Sequence, residues 1–380
     1  RVFSILRLAC VVFVLISNVV WGQSADRSRT RGHQFIGLRS FSGWQKSSGD
    51  RARETVLTSP EIVARMQWNE MVLSWNAKAP DSTYMKLEVR AIRENGPTKW
   101  YTMALWAPDR ERFPRESVLQ QRDADGNVET DTLILTRPAS RLQVRVTLGS
   151  ADARKASLKF VGIALTDSSV KLPALEPNGA AWGKTLPVPE LSQIPYPNGN
   201  VICSPTTVSM MMNFWAAELR RPELKRDVPD VAAAVFDTNW KGTGNWAFNM
   251  AYCGSYSGMR AYVTRMSDVA ELEEWVRAGM PVGLSLCYDL LRGRPSRSSG
   301  HLVVCVGFTE NGDPVINDPG TSKNVRKIFP RESLVKAWAY SRNAAYLVYP
   351  ENAEIPTDPY GHWDSWSARQ RVRTEKARYK

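Results

Sequence analysis

From residue 55 to residue 170 the sequence consists of short segments in which apolar and polar residues alternate. Residues 84–90, 132–136 and 142–148 are three of these segments, and Gly, Pro and Asp residues separate them. Successive side chains of a strand point to opposite faces of a sheet, so a period of two indicates half-buried strands. Such strands at regular spacing predict an antiparallel β-sandwich over residues 55–170. No residue pattern in this region indicates a reaction, and we expect an accessory domain.

A second domain follows a stretch rich in Pro and Gly. Residues 171–185 contain Pro173 and Pro177 together with two glycines, a composition typical of a linker. Beyond it, helix and strand patterns both occur across residues 186–350. A chain of 380 residues, 43% of them hydrophobic, is long enough for two domains that each bury a core. We therefore expect a multidomain protein.

The formal charge of +12 comes from the two ends of the chain. Residues 1–22 carry +2, residues 23–54 carry +4 and residues 367–380 carry +5, which leaves +1 for residues 55–366. Basic arms on a near-neutral body are typical of solvated segments. We expect a basic flexible segment at 23–54 and a basic tail at 351–380, with association of these termini with an anionic cell envelope as an open alternative. Because no basic patch is interleaved with stacking aromatics, nucleic acid is not expected as a partner.

The first 22 residues are typical of a secretory signal peptide. Arg1 and Arg7 lie at the start of an apolar run that extends from residue 8 to residue 21, and small residues follow it. The run is shorter than the ~20 apolar residues that span a bilayer as a helix. We therefore expect a secreted protein, or one of the periplasm or cell envelope. An uncleaved N-terminal anchor is the alternative.

Histidine and cysteine are both scarce. The chain contains three histidines, His33, His301 and His362. So few histidines argue against metal sites built from several of them, and no Cys-x-x-Cys pair is present, so we expect neither a metal nor a cofactor. Removal of the signal peptide leaves four cysteines, Cys203, Cys253, Cys287 and Cys305. The last two lie in apolar runs typical of a core, and a disulfide between two of the last three is left open.

Cys203 lies at the predicted start of a helix. Pro205 suits the first helical turn, and an apolar face continues through Val208, Met211, Met212 and Trp215. The unpaired N–H groups and the dipole at a helix N-terminus favour a thiolate, which lowers the pKa of a cysteine and makes it a nucleophile. The alternative is a small side chain buried where the helix enters the core.

His301 opens a predicted strand and Asp318 closes the next one. A turn at Asn311 and Gly312 joins the two strands. A cysteine, a later histidine and a carboxylate are the nucleophile, the base and the group that orients the base in cysteine catalysis. A strict two-residue turn, however, places Asp318 opposite Cys305 and not opposite His301. The arrangement therefore requires a wider loop, a bulge or strong twist.

These segments together resemble the papain-like cysteine peptidases of the bacteriocin-processing type, peptidase family C39, and most closely their stand-alone secreted bacterial relatives. The shared features come in the same order: Gln193, Cys203 with Pro205 and a methionine-containing helix, Gly279 and Pro281 before a strand, Gly300 with His301, and the closure Asn317, Asp318, Pro319. The resemblance covers residues 186–350. Residues 74–77 and Asp131 also look like the domain that accompanies such peptidases.

The resemblance implies an α+β papain-like fold for residues 186–350 and a Cys-His-Asp triad. In that triad Cys203 is the nucleophile, His301 is the general base and then the general acid, and Asp318 orients the imidazole.

The resemblance also implies that Gln193 donates a hydrogen bond to the oxyanion. Because Gln193 precedes Cys203 by ten residues, a loop must fold back, and Asn198 and Asn200 remain alternatives. Ser204 stands where relatives often carry glycine, which could alter the pocket.

The expected function is therefore hydrolysis of peptide bonds, in a peptide or protein substrate, by an exported cysteine peptidase that forms an acyl-enzyme intermediate. An amidase or transpeptidase acting on cell-wall or conjugated peptides would use the same intermediate. A catalytically inactive surface-binding protein is the third candidate. The sequence identifies neither a specificity pocket nor an oligomeric state.

Overall fold

A computed structural model describes residues 30–171, 173–295 and 299–356. The expected signal peptide, the basic residues of the tail and His362 lie outside these ranges. Within them the chain forms two antiparallel sheets, one in each domain, and the expected two-domain architecture is confirmed. None of the helices in the described part of the chain is long and apolar enough to cross a membrane.

The first domain is built from strands alone. In sheet order its central strands are β1, β10, β4, β9, β3 and β2, with β5 and β8 also paired to β9, and β6 and β7 paired to β5. The strands are β1 (His33–Leu38), β2 (Gln45–Ser48), β3 (Thr55–Thr58), β4 (Ile62–Lys78), β5 (Thr83–Arg93), β6 (Gly96–Pro97), β7 (Tyr101–Trp106), β8 (Gly126–Glu129), β9 (Thr132–Ser150) and β10 (Ser157–Thr166).

The predicted β-sandwich is replaced by one continuous sheet that curls. β9 is 19 residues long and changes partners along its length, from β8 and β4 in its first half to β3 and β5 in its second. Its register against β4 shifts on both sides of Trp68, next to Pro138. Proline cannot donate to the ladder, and such irregularities bend a strand. Because β9 bends, a single sheet curls on itself in place of the two packed sheets of a sandwich.

The alternating pattern that predicted the strands corresponds to alternating burial. In β5, Met85, Leu87 and Val89 are buried, whereas Lys86 and Arg90 between and after them are partly exposed. The tryptophans of this domain follow the same rule, since most are buried in its core: Trp44, Trp68, Trp75 and Trp106.

The prediction of a flexible segment over residues 23–54 is wrong where β1 and β2 lie. β1 pairs along its full length with β10, and β2 pairs with β3 at the edge of the sheet. Phe35 and Ile36 of β1 are buried, while every residue of β2 is exposed. A count of charges does not reveal this, because a few apolar residues are enough to fix a strand whose neighbours remain solvated.

The second domain combines a seven-stranded sheet with helices. Its strands are β11 (Lys184–Thr185), β12 (Met259–Arg265), β13 (Val282–Cys287), β14 (Gly300–Phe308), β15 (Pro314–Asn317), β16 (Arg326–Ile328) and β17 (Ala344–Pro350), in the order β12, β17, β13, β14, β15, β16, with β11 on β14. Its helices are α1 (Cys203–Glu218), α2 (Val228–Val235), α3 (Trp246–Ser255), α4 (Val269–Arg277), α5 (Tyr288–Leu291) and α6 (Arg331–Trp338). Short 3₁₀ turns cover Gly179–Ala181, Pro222–Leu224 and Ala339–Ser341.

The expected linker at residues 171–185 is fixed to the second domain. β11 pairs with the end of β14. The backbone N–H of Asn178 and the indole N–H of Trp182 both donate to the carboxylate of Glu273, each at 2.7 Å. Because Glu273 is fully buried, these bonds hold the connection against α4.

Polar side chains of β4 pair with the edge strand of the second sheet. The Asn76 amide donates to the carbonyl of Ala261 at 2.7 Å and accepts from its N–H at 3.2 Å. The Ser74 hydroxyl accepts from the N–H of Val263 at 2.9 Å. These side chains satisfy backbone groups of β12 that lack a neighbouring strand. Leaving such buried groups unpaired would cost free energy of folding. The two domains are therefore joined by specific hydrogen bonds.

Candidate active site

Cys203 is the first residue of α1, as the sequence predicts. Its predecessor Ile202 is the N-cap and makes no side-chain capping bond, so the first N–H groups of the helix face the surroundings of the thiol. Cys203 is a free, half-buried thiol. The neighbouring Ser204 is buried, and its hydroxyl lies 2.9 Å from that of Tyr346, so the departure from glycine is accommodated by a hydrogen bond.

The surroundings of Cys203 favour the thiolate. Burial by itself raises the pKa of the thiol, but a hydrogen bond to His301 and the charge of that imidazole outweigh it. The backbone N–H groups of Leu302 and Ser204 act in the same direction. The net effect is a Cys203 pKa below its ordinary value, which is the condition for a nucleophilic cysteine.

The connection between β14 and β15 brings Asp318 towards His301. It is a five-residue loop, residues 309–313, and the pairing of the two strands that it joins shifts in register between Cys305 and Gly307. Val304 pairs with Asn317, so one further step places Asp318 opposite Val303. Val303 and His301 lie on the same face of β14, and diagonal neighbours across a ladder are within reach of long side chains. Of the three alternatives that the sequence left open, a wider loop and a register shift of the bulge type are both present.

His301 and Asp318 form a buried pair. The Nε2 atom of His301 lies 2.9 Å from Oδ1 of Asp318, so Nδ1 is the ring nitrogen left to face Cys203. Burial lowers the pKa of His301, but the hydrogen bonds to Asp318 and Cys203 and their charges outweigh it and raise the pKa to about 9. Burial raises the pKa of Asp318, yet the bond and charge of His301 bring it below its usual value. Both shifts favour a charged imidazolium between two anions.

Two further residues complete this cluster, and neither is predicted from the sequence. The Tyr288 hydroxyl donates to Oδ2 of Asp318 at 2.8 Å, and its ring lies over that of His301 with centroids 4.1 Å apart. The N–H of Gly320 donates to Oδ1 at 2.9 Å. A β-carbon at position 320 would lie 3.0–3.1 Å from the Tyr288 hydroxyl and the His301 ring, so glycine fits this close approach. A tyrosine directly after β13 and the glycine after Asp318 and Pro319 are weak signals in a single sequence.

Gln193 contacts the segment that follows Asp318. Its backbone N–H donates to the carbonyl of Pro319 at 2.9 Å, and its side-chain Oε1 is buried without a hydrogen-bond partner among the described residues. Gln193 does not appear in the lining of the cleft, whereas Asn200 does. The loop does fold back towards the site, and the assignment of the oxyanion donor to Gln193 stays a prediction.

Cys203 and His301 open into a cleft between the two domains. The cleft has a volume of about 1040 Å³. The second domain contributes Trp240, Tyr340 and Arg342 to its walls, and the first domain contributes the turn from β8 to β9. A reactive thiol in a concave site of this size has room for a segment of substrate.

The remaining cysteines have a different environment. Cys253 and Cys305 are buried free thiols, so neither takes part in the disulfide left open by the sequence. Burial raises the pKa of Cys305 to about 12 and that of Cys253 further still. No group of three or more His, Cys, Asp or Glu residues in the described ranges has the arrangement of a metal site.

Two family models match the chain, one in each domain. Residues 40–166 match the model described as the Peptidase C39 N-terminal domain, and residues 185–346 match the Peptidase_C39 like family. The resemblance drawn from Cys203, His301 and Asp318 is thereby confirmed at the level of the family. No curated protein matches the chain at a significant level.

Solved structures give weaker likenesses. A protein described as a C39-like peptidase from Bacillus anthracis is 17% identical, with 43% of this chain and 97% of that chain covered and a TM-score of 0.34. The Gx strain of infectious bursal disease virus gives 8% identity over 36% of this chain and 34% of that chain, with a TM-score of 0.20. Scores this low carry no argument about fold or function.

Proposed function

On the premise that this chain carries a C39-like peptidase domain behind the N-terminal domain of the same family, we propose that it is a cysteine peptidase. Its reaction is the hydrolysis of peptide bonds through a Cys-His-Asp triad made of Cys203, His301 and Asp318. The single observation that carries the proposal is the buried hydrogen bond between His301 and Asp318 in the same cleft as the Cys203 thiol, whose pKa the imidazole lowers. An ordered nucleophile, base and orienting group with shifted pKa values supports acyl transfer.

The reaction begins from a thiolate–imidazolium pair. The Cys203 thiolate attacks the carbonyl carbon of the scissile peptide bond, and a tetrahedral intermediate forms with its charge on the carbonyl oxygen. The N–H of Cys203 at the start of α1 and the amide of Gln193 are the proposed donors to that oxygen. His301 then gives the proton from Nδ1 to the leaving amine, and the carbon–nitrogen bond breaks.

Hydrolysis completes the cycle. His301, now neutral, takes a proton from a water molecule that attacks the acyl-enzyme, and the bond between carbon and sulfur breaks to release the acid. Asp318 keeps Nε2 protonated throughout, so Nδ1 is always the nitrogen that exchanges protons. Tyr288 and Gly320 fix the carboxylate through both of its oxygens, which holds the imidazole in one orientation.

The non-catalytic alternative has less support. It would be favoured by a Cys203 thiol remote from His301 or bound in a disulfide. Cys203 is instead a free thiol that lines the same cleft as His301, and the imidazole lowers the pKa of that thiol. We infer a papain-like α+β arrangement for the second domain, because α1, which carries the cysteine, packs against β14, which carries the histidine. Export through residues 1–22, and association of the basic termini with an anionic envelope, are proposed from sequence alone.

The test is labelling of the full chain by a thiol-directed peptidyl epoxide, with intact-mass detection. We expect one equivalent of label on the wild type and none on Cys203→Ala. Cys305→Ala is the matched control, because it removes a buried thiol whose pKa is raised, and it should leave labelling unchanged. Labelling of Cys203→Ala at the wild-type rate would contradict the proposal. Turnover of a casein or peptide-library substrate by the wild type, absent in Cys203→Ala, distinguishes a peptidase from a merely reactive thiol.

A further inference from the structure

One wall of the cleft that contains Cys203 belongs to the first domain. Glu70 of β4, the turn from Glu129 to Thr132 and Ile134 of β9 all line it. The peptidase domain alone therefore leaves the cleft open on this side. The hydrogen bonds between β4 and β12 hold the two walls in a defined position.

The walls carry apolar side chains that are exposed to solvent. Ile134 is 39% exposed, Val201 60%, Trp240 45% and Tyr340 49%. Among the nine large hydrophobic side chains exposed in the described part of the chain, these four line this one cleft. Solvent-exposed apolar surface gathered in a concave site is typical of a surface that becomes covered by a ligand.

Trp240 is held in place before any ligand arrives. A β-carbon at position 242 would lie 2.7 Å from its indole ring, and one at position 244 would lie 3.0 Å away. The ring therefore packs on one side against Gly242 and Gly244, where the lack of a β-carbon makes room for it. An aromatic side chain fixed in this way loses little entropy when it binds an apolar group.

The loop that carries Trp240 is fastened to the first domain. Asp237 is fully buried, and its carboxylate accepts from the backbone N–H of Trp240 at 3.1 Å and from that of Ser117 at 3.0 Å. Its other oxygen accepts from the Ser117 hydroxyl and from the Asn245 amide. The Asn239 amide donates to the Ser117 carbonyl at 3.0 Å. The first domain thus fixes the position of the Trp240 loop, although this loop belongs to the second domain.

The carboxylates of the cleft are already occupied. Glu70 pairs with Arg265 at 2.5 Å and with Arg342 at 2.7 Å. Glu129 accepts from the Asn127 amide at 2.6 Å, and Asp131 accepts from the Trp246 N–H at 2.6 Å. These acidic groups therefore have partners within the protein, and the exposed apolar side chains are the feature of the walls on which we base the choice of substrate.

We propose that the first domain is a specificity element of the peptidase, and that Ile134 and Trp240 bind a bulky apolar side chain of the peptide next to the scissile bond. The inference rests on the proposed function. It adds that substrate specificity is determined at the interface of the two domains. Ile134 of the first domain contributes directly, and the loop of Trp240 contributes in a position that the first domain fixes. The substrate class is peptides with Leu, Phe or similar residues at this position.

The test uses the full chain and a series of peptidyl epoxides that differ in one side chain: Leu, Phe, Gly, Asp or Lys. Rate constants for labelling of Cys203 are measured by mass spectrometry, with iodoacetamide as a thiol probe that has no peptide arm. We expect Leu and Phe probes to react at least about tenfold faster than Gly or Asp probes. Ile134→Thr should reduce that preference about fivefold, and Trp240→Ala should abolish it.

Val63→Thr is the matched control. Val63 is a β-branched residue in a strand of the same domain, is 66% exposed and lies outside the cleft. It should leave the preference unchanged, and all three variants should keep the wild-type rate with iodoacetamide and the wild-type urea midpoint. No preference in the wild type, or equal effects of Ile134→Thr and Val63→Thr, would overturn the inference while the proposed function stands. Failure of iodoacetamide to select Cys203 over Cys305 would count against the proposed function itself.

Discussion

Two buried carboxylates in the second domain, Asp318 and Asp237, have similar surroundings but different roles. Each is almost inaccessible to solvent, and each accepts hydrogen bonds on both oxygens. The partners of Asp237 are backbone N–H groups, a hydroxyl and an amide, none of which changes charge. One partner of Asp318 is a histidine whose other nitrogen faces a thiol.

The comparison indicates what distinguishes a structural network from the proposed catalytic one. Around Asp237 the donors belong to Trp240, to Ser117 of the first domain and to Asn245, the N-cap of α3. Around Asp318, Tyr288 and Gly320 hold the carboxylate in the same way. His301 differs, because its pKa depends on both Asp318 and Cys203. A buried carboxylate stabilises a fold when its donors are fixed, and supports chemistry when one donor can carry a proton.

Removal of Asp318 should have the largest effect on activity. Asp318→Ala leaves the imidazole without its orienting acceptor, and we expect kcat/KM to fall on the order of 10³-fold. The measurement is hydrolysis of a fluorogenic peptide at pH 7. Asp318→Asn keeps an acceptor for Nε2 and should lose less. Equal losses in the two variants would mean that the negative charge, and not the orientation of the ring, is the important contribution.

Removal of Asp237 should have the largest effect on stability. Asp237→Ala leaves several buried donors without an acceptor, and we expect the free energy of unfolding to fall by about 3 kcal/mol. Urea denaturation followed by tryptophan fluorescence measures this loss. Asp318→Ala serves as the reciprocal comparison, with a larger effect on kcat/KM and a smaller one on unfolding. If the two variants do not differ in this crossed manner, the distinction between the two networks is wrong.

The pH profile should report the His301 pKa. Activity needs the imidazolium, so kcat/KM should decline as the pH rises through about 9, the value to which Asp318 and Cys203 raise that pKa. In Asp318→Asn the charge that raises the pKa is lost, so the alkaline limb should move to lower pH. Asp237→Asn, with no ionisable partner in contact, should leave the limb where it is. An unmoved limb in Asp318→Asn would contradict the assignment of His301.

Loss of one hydroxyl should have the smallest effect. Tyr288→Phe removes the donor to Oδ2 of Asp318 but keeps the ring over His301, and we expect a three- to tenfold decrease in kcat/KM, about 1 kcal/mol. Tyr256→Phe is the control, because its hydroxyl bonds to Tyr252 away from the cleft. An effect of Tyr256→Phe as large as that of Tyr288→Phe would mean that the loss reflects general stability and not the triad.

The elements most accurately predicted from sequence are those set by local pattern. Alternation over residues 55–170 predicts the strands, and Pro205 with the apolar face behind it predicts the start of α1 at Cys203. The charge count over residues 23–54 misleads, because Phe35 and Ile36 bind β1 to the sheet. Local pattern is informative wherever neighbouring residues share one environment.

The contacts between the residues of the site were harder to predict from sequence. Cys203, His301 and Asp318 could be selected by residue type and order, but their meeting depends on a five-residue loop and a bulge in β14. Tyr288 and Gly320 reach Asp318 from separate elements, so nothing in their immediate sequence marks them. Which residues face one another across a cleft depends on how distant strands pair.

The sequence by itself thus determined two domains, a strand-rich first half and a cysteine, a histidine and a carboxylate in the order expected for a cysteine peptidase. Tertiary structure decided that the first domain forms a wall of the cleft and that its Ser117 holds the loop of Trp240. The physical reason is range: helix and strand periodicity act over a few residues, whereas the Ser117–Asp237 contact joins positions 120 residues apart. Contacts of that kind follow from packing of the whole chain, and they decide what the cleft can bind.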